Sequence, residues 1–183
     1  MTPWKLPTSL EVGGVGYSIR TDFRDVLYLI GIFTDPEYEA DEKAAICLQV
    51  LYENWEDIPP ELCSEALERA VDFIDMGAQK DGGRQQPHLM DWEQDAHLII
   101  PAVNRVLGQE VRAVEYLHWW TFLGAYMEIG ESVFSQVLSI RQKLSEGKKL
   151  EKHERAFYRK NRSTVDLKTK YTEAEDELLR QWT

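Results

Sequence analysis

Cysteine is almost missing, with only Cys47 and Cys63 in 183 residues. Both lie on apolar stretches of helical period, where a free, packed thiol is the ordinary state. A disulfide framework is therefore not expected, which fits a reducing compartment. Long apolar runs are missing too. Val26 to Phe33 is typical of the longest, far short of the roughly 20 residues a bilayer crossing needs. The opening MTPWKLPTSLEVGG lacks the basic-then-apolar order of a signal peptide. These absences lead to the expectation of a soluble intracellular protein with no membrane association.

Recognisable reaction chemistry is also lacking. There is no G-x-S-x-G elbow and no H-E-x-x-H pair, and neither cysteine has a histidine pattern that would make it a nucleophile. The GGVG at 13–16 sits within a hairpin pattern and opens no helix, so it does not fit a phosphate-cradling loop. Glu115 and His118 have the E-x-x-H spacing of di-iron helix bundles. Such bundles need a second pair and two further glutamates, and no second pair occurs. Glu93 with His97, and Asp91 with Asp95, lie one turn apart without being diagnostic. The expectation is a protein that is not an enzyme, with no catalytic residue, no metal and no cofactor.

What is present is a core and an uneven charge. Hydrophobic residues make up 43% of the chain and aromatics 11%, ample for one domain of this length. The net charge of −11 divides sharply along the chain. Residues 1–140 hold 9 Lys and Arg against 24 Asp and Glu, residues 141–170 hold 11 against 4, and the last 13 residues hold 1 against 4. An acidic body, a basic segment and a short acidic tail result. The acidic body repels nucleic acid and suits a basic protein partner.

Periodicity supplies the architecture. SLEVGGVGYSI alternates apolar and polar residues around Gly13-Gly14, the signature of a hairpin over about 9–19. A lone hairpin is marginal in water, so its edges are candidates for self-association through Val12, Val15 and Tyr17. From residue 22 the period becomes helical. One face carries Phe23, Val26, Leu27 and Ile30. A second carries Ala44, Leu48, Leu51 and Tyr52. A third, begun by Pro59-Pro60, carries Leu62, Ala66, Ala70, Phe73 and Ile74 and stops at Gly77. Residues 78–90 read as a polar loop. Asp91 with Gln94 has capping-box spacing and predicts a fourth helix with Trp92, Ala96, Ile99 and Val103 inward, kinked at Pro101. Further helices are expected over about 112–128, over 131–145 with Val133, Val137, Ile140 and Leu144 aligned, and over 150–160. The expected fold is mainly α: a single helical domain of about six to seven helices with an N-terminal β-hairpin. Residues 1–147 form the acidic body and 148–183 a charged C-terminal extension, in which Leu178, Leu179 and Trp182 form a possible amphipathic turn.

Two stretches stand out as surfaces. On a helical wheel YLHWWTFLGAY (116–126) is apolar on nearly every side, the pattern of a central core helix. Two bulky indoles seldom both bury completely, so a groove for a partner helix, built from Trp92, Trp119, Trp120 and Tyr126, is the second reading. The basic segment offers Lys148, Lys149 and Lys152 together with Phe157 and Tyr158. It reads either as a solvated face paired with acidic surface of its own fold or of a neighbour, or as a nucleic-acid contact.

Four strings carry a resemblance: LPTSLEVGGVGYSIRTDFRD (6–25), LMDWEQDAHLIIPAVNRVLGQEVR (89–112), YLHWWTFLGAYMEIGE (116–131) and IRQKLSEGKKLEKHERAFYRKNR (140–162). Together they are similar to the bacteriophage gene product fifteen family of siphophages and prophages of Gram-positive bacteria. The stretch from about Tyr28 to Pro87 and the end after Lys170 diverge. Members are typically encoded between the major tail protein and the tape measure protein, the position of tail assembly chaperones. The resemblance implies a non-enzymatic chaperone that binds and solubilises the tape measure protein in the host bacterial cytoplasm. The implied partners are tape measure helices, further copies of the chain and a companion tail assembly protein. The alternatives are a structural component of the tail and a nucleic-acid-binding regulator that uses 141–170.

Overall fold

The computed structural model describes residues 4–77 and 89–168. Among these the chain is mainly α, with one two-stranded antiparallel hairpin, β1 (Ser9–Val12) and β2 (Val15–Ser18). The helices are α1 (Phe23–Thr34), α2 (Ala40–Leu51), α3 (Cys63–Ile74), α4 (Ala96–Leu107), α5 (Trp119–Met127), α6 (Val133–Ser145), α7 (Lys152–Lys160) and α8 (Arg162–Val165). The short α8 has no counterpart among the expected elements. Most of the expected 78–90 loop, and the possible turn of Leu178, Leu179 and Trp182, lie outside the described residues. The backbone packs as two compact units. One takes residues 4–77 and 115–122, the other 89–114 and 123–168.

In the first unit the hairpin is as tight as its sequence requires. Val12 faces Val15 across the turn, and Gly13 and Gly14 take φ of 56° and 80°. Two consecutive positive φ values make the turn whose twist matches the strands. Leu10 and Val12 are buried and β1 packs on α3. The chain after β2 is also paired. Arg20 donates its N–H to Leu51 O at 2.7 Å, and Glu53 donates to Ser18 O at 3.1 Å. Asp22 starts α1 by accepting from the Arg24 N–H at 3.0 Å. The buried stripe of α1 is Phe23, Val26, Leu29 and Ile32. Leu27 and Ile30, expected on the inward face, are half-buried beside it. Ala66, Ala70, Phe73 and Ile74 of α3 are buried as expected. Burying a large side chain such as Phe73 or Ile74 contributes about 1.5–3 kcal/mol.

The second unit corrects several expected faces. α4 starts at Ala96 and not at residue 92, runs through Pro101 to Leu107, and ends on Gly108 with φ 69°. In α6 Val137 and Ile140 are buried as expected, but the stripe is completed by Phe134 and Arg141. Val133 and Leu144 are exposed instead. The Phe134 ring lies 5.9 Å from that of Tyr126, and burying it turns the helix away from Val133. Val137, Ile140 and Val165 make a small core against which Leu98, Leu150, Phe157 and Tyr158 pack.

Candidate functional site

The aromatic stretch is extended before it is helical. Phe23 donates its N–H to Leu117 O at 3.0 Å, Trp119 donates to Thr21 O at 2.7 Å, and Leu117 donates to Asp22 Oδ2 at 3.1 Å. This short antiparallel pairing, with Asp22 opposite His118, delays the helix from the expected residue 112 to Trp119. Tyr116 is therefore not on the helical stripe. Its ring is exposed and its hydroxyl is 2.7 Å from Thr21 Oγ1.

Trp119 is 1% exposed and donates its indole N–H to Ile74 O at 2.9 Å. Trp120 is half-buried, donates to Phe73 O at 2.8 Å, and stacks on the Phe73 ring at 5.9 Å. The last carbonyls of a helix have no partner within it, and these two indoles serve the end of α3. Trp119 is thereby withdrawn from the expected partner groove, because its polar edge and its ring are both used inside the first unit. His118 is also buried. The Trp120 N–H donates to its Nδ1 at 3.0 Å, so its other nitrogen, Nε2, carries the proton and donates to Pro7 O at 2.9 Å. Both nitrogens are thus occupied, and Glu115 is exposed. Among the described residues no three potential metal ligands cluster.

The remaining candidates of the aromatic groove, Trp92 and Tyr126, meet in the second unit. Their ring centroids are 4.8 Å apart, and the Tyr126 hydroxyl donates to Met90 Sδ at 2.9 Å. Both are half-buried. Burial, reinforced by the nearby Asp95 charge, pushes the Tyr126 hydroxyl up from its ordinary pKa.

The most constrained group in this unit is Arg141, the first residue of the basic segment, which is 5% exposed. All five of its donors are used. Its Nε donates to Val165 O at 2.6 Å. One terminal nitrogen donates to Asp95 Oδ2 at 2.6 Å and Leu89 O at 3.0 Å, the other to Asp95 Oδ1 and Thr164 O at 2.9 Å. Asp95 also accepts from the Asp91 N–H at 3.0 Å. Gln94 completes the clasp by donating to Asp166 O at 2.8 Å and accepting from the Lys168 N–H at 2.9 Å. The D-W-E-Q-D-A string thus holds the chain that follows α7. A charged residue one step after the apolar Ile140 was the only sequence sign of it.

The basic segment divides by depth. Phe157 and Tyr158 turn inward onto the small core, and the Tyr158 hydroxyl donates to Asp166 Oδ1 at 2.8 Å. That acceptor raises the Tyr158 pKa, with burial adding to it. Both rings are half-buried there, which leaves part of each face uncovered. Lys143 donates to Glu154 Oε1 at 2.6 Å, which with the Glu151 N–H holds the Glu154 carboxyl below the usual range. Lys148 pairs with Glu146 at 2.6 Å. Lys149 and Lys152 are exposed. On the hairpin the expected self-association residues split: Val12 is 0% exposed and Val15 54%, with Tyr17 between them. Val12 is spent on α3 and drops out as a contact residue. Cys47 is buried as expected, whereas Cys63 is only half-buried.

The family model for Bacteriophage Gp15 protein matches residues 4–167, most of the chain, and the chain belongs to that family. No curated protein and no solved structure matches it. Among the described residues no helix is long and apolar enough to cross a membrane.

Proposed function

We propose that this bacteriophage protein is a non-enzymatic tail assembly chaperone that binds tape measure helices and keeps them soluble until the tail tube forms around them. Membership of the Gp15 family over residues 4–167 carries the reading, because the resemblance implies the gene position of such chaperones. The surface chemistry is compatible with it. Exposed apolar side chains, among them Val15, Tyr28 and Tyr116 in the first unit and Met127 and Val133 in the second, stand in a chain of net charge −11. Apolar side chains hold an amphipathic helix, and the added net charge keeps a hydrophobic client dispersed. With Trp119 buried, the client-facing residues are these and the half-exposed Trp92, Trp120 and Tyr126.

Co-expression with a tape measure segment tests the proposal. The segment is expected to become soluble and to co-purify with this chain. A segment that stays insoluble, with neither protein retaining the other, overturns it. Mass spectrometry of purified virions separates a chaperone, which is absent from them, from a resident tail component.

A further inference from the structure

In a chain this acidic, basic side chains are expected to find partners close by, and some do: Lys143, Lys148 and Arg162 each pair with a carboxylate of their own segment. The outer face of α7 does not follow the pattern. Glu154, Phe157 and Tyr158 turn toward the unit, leaving Lys152, Arg155 and Arg159 in one exposed row. Lys149 precedes the row and Lys160 flanks it, both exposed. Among the described residues none of these five makes an ion pair. Their spacing of three and then four residues makes a straight stripe about 10 Å long at about 1.5 Å per helical residue.

The same chain carries a stripe of the opposite sign and the same period. Glu61, Glu65, Glu68, Asp72 and Asp75 recur at intervals of four and three residues along α3 and its two ends. All are exposed except Glu65, which is half-buried, pairs with Arg69 at 3.7 Å and accepts the Gly13 N–H at 3.3 Å. Arg69 is the one cation on that helix. Helix rows with matched period and opposite charge can lie alongside one another, so that several pairs form at once.

We propose that the cationic face of α7 docks on the carboxylate stripe of α3 in a second copy of this chain. Each copy carries both stripes, so each can give and receive the contact, either reciprocally in a closed pair or from copy to copy. The charge complementarity is internal to one sequence, which favours another copy over a foreign partner. Nucleic acid would have to approach a molecule of net charge −11. The inference goes beyond the proposed function and does not depend on any client.

Sedimentation velocity on the nuclease-treated, full-length protein tests it, run at about 0.02 M and about 0.5 M NaCl, where screening shortens the reach of a charge severalfold. The expected result is concentration-dependent association at low salt that disappears at high salt. Reversing α7 (Lys152→Glu, Arg155→Glu, Arg159→Glu) should give a monomer at low salt, as should reversing α3 (Glu68→Lys, Asp72→Lys, Asp75→Lys). Mixing the two variants should restore association, because each then supplies the complement of the other. All six positions are exposed, and unchanged circular dichroism confirms that the variants are folded. The proposal is overturned by a wild type that stays monomeric at low salt, by association that survives either reversal, or by a mixture that fails to associate. Association seen only before nuclease treatment assigns the α7 face to nucleic acid and overturns it equally.

Discussion

Arg141 and Asp95 form a two-pronged ion pair at 2.6 and 2.9 Å, with Arg141 5% exposed and Asp95 0%. The guanidinium also takes the carbonyls of Leu89, Thr164 and Val165. Removing one partner of such a pair leaves a buried charge without compensation. Arg141→Met should therefore destabilise the protein by about 3–5 kcal/mol. Arg141→Lys should cost about 2 kcal/mol, since an ammonium cannot reproduce the planar fork. The double change Arg141→Met with Asp95→Leu should recover part of the loss. Urea unfolding followed by circular dichroism measures all three, and a neutral Arg141→Met would show that the clasp is dispensable.

The neighbouring tryptophans should behave differently. Trp119→Ala empties a fully buried site and is expected to cost about 3–5 kcal/mol. Trp120→Ala loses one hydrogen bond and a stack on Phe73 at a half-exposed position, about 1–2 kcal/mol. Equal losses in thermal or urea unfolding would contradict this ordering.

The two thiols should separate by reactivity. Burial pushes the Cys47 thiol up to about 12, so its reactive thiolate is suppressed at neutral pH. In the native protein a thiol reagent should label Cys63, the half-buried cysteine, well before Cys47, and both should react at once in denaturant. Mass spectrometry of the labelled peptides decides it. The sign for stability follows. An unfolded thiol ionises near 9 and the folded one near 12, so the contribution of Cys47 is whole below pH 9 and declines as pH rises toward 12.

Glu110 gives the opposite slope. Hydrogen bonds from the Arg112 side chain and backbone, with a further one from Asn104, hold its carboxyl down at about 2 from an ordinary 4.5. Its contribution is present above pH 4.5 and is lost as pH falls toward 2. Glu110→Gln should lower stability at neutral pH and flatten the decline between pH 5 and 2, read from denaturation midpoints across that range. An unchanged acid limb would remove Glu110 from the account.

Local chemistry made several features legible in the sequence alone. Gly13-Gly14 dictated the hairpin because both central positions of its tight turn take positive φ, which glycine adopts at little cost. The stop expected at Gly77 is also local, although α3 already ends at Ile74 and Met76 takes positive φ just before the glycine. α4 and α6 likewise end at glycines of positive φ, Gly108 and Gly147. The buried run of α3 and the mainly α class came from period and apolar content, which depend on residues a few positions apart. Tertiary structure decided what depended on distant partners. The capping signal at Asp91 was real, for it accepts the Glu93 and Gln94 N–H groups at 2.9 and 2.7 Å. The helix nevertheless waits until Ala96, with Asp95 bonded to Arg141 and Gln94 to the backbone of Asp166 and Lys168. Similarly, α5 starts late because residues 21–23 compete for its first backbone groups. The indoles of the HWW string went to the carbonyls of Phe73 and Ile74, more than forty residues away. The sequence by itself determined where the chain turns, which class of element it forms and how its charge is divided. Which aromatic faces remain open, and which arginine is held at the centre, were settled only when distant backbone groups needed partners.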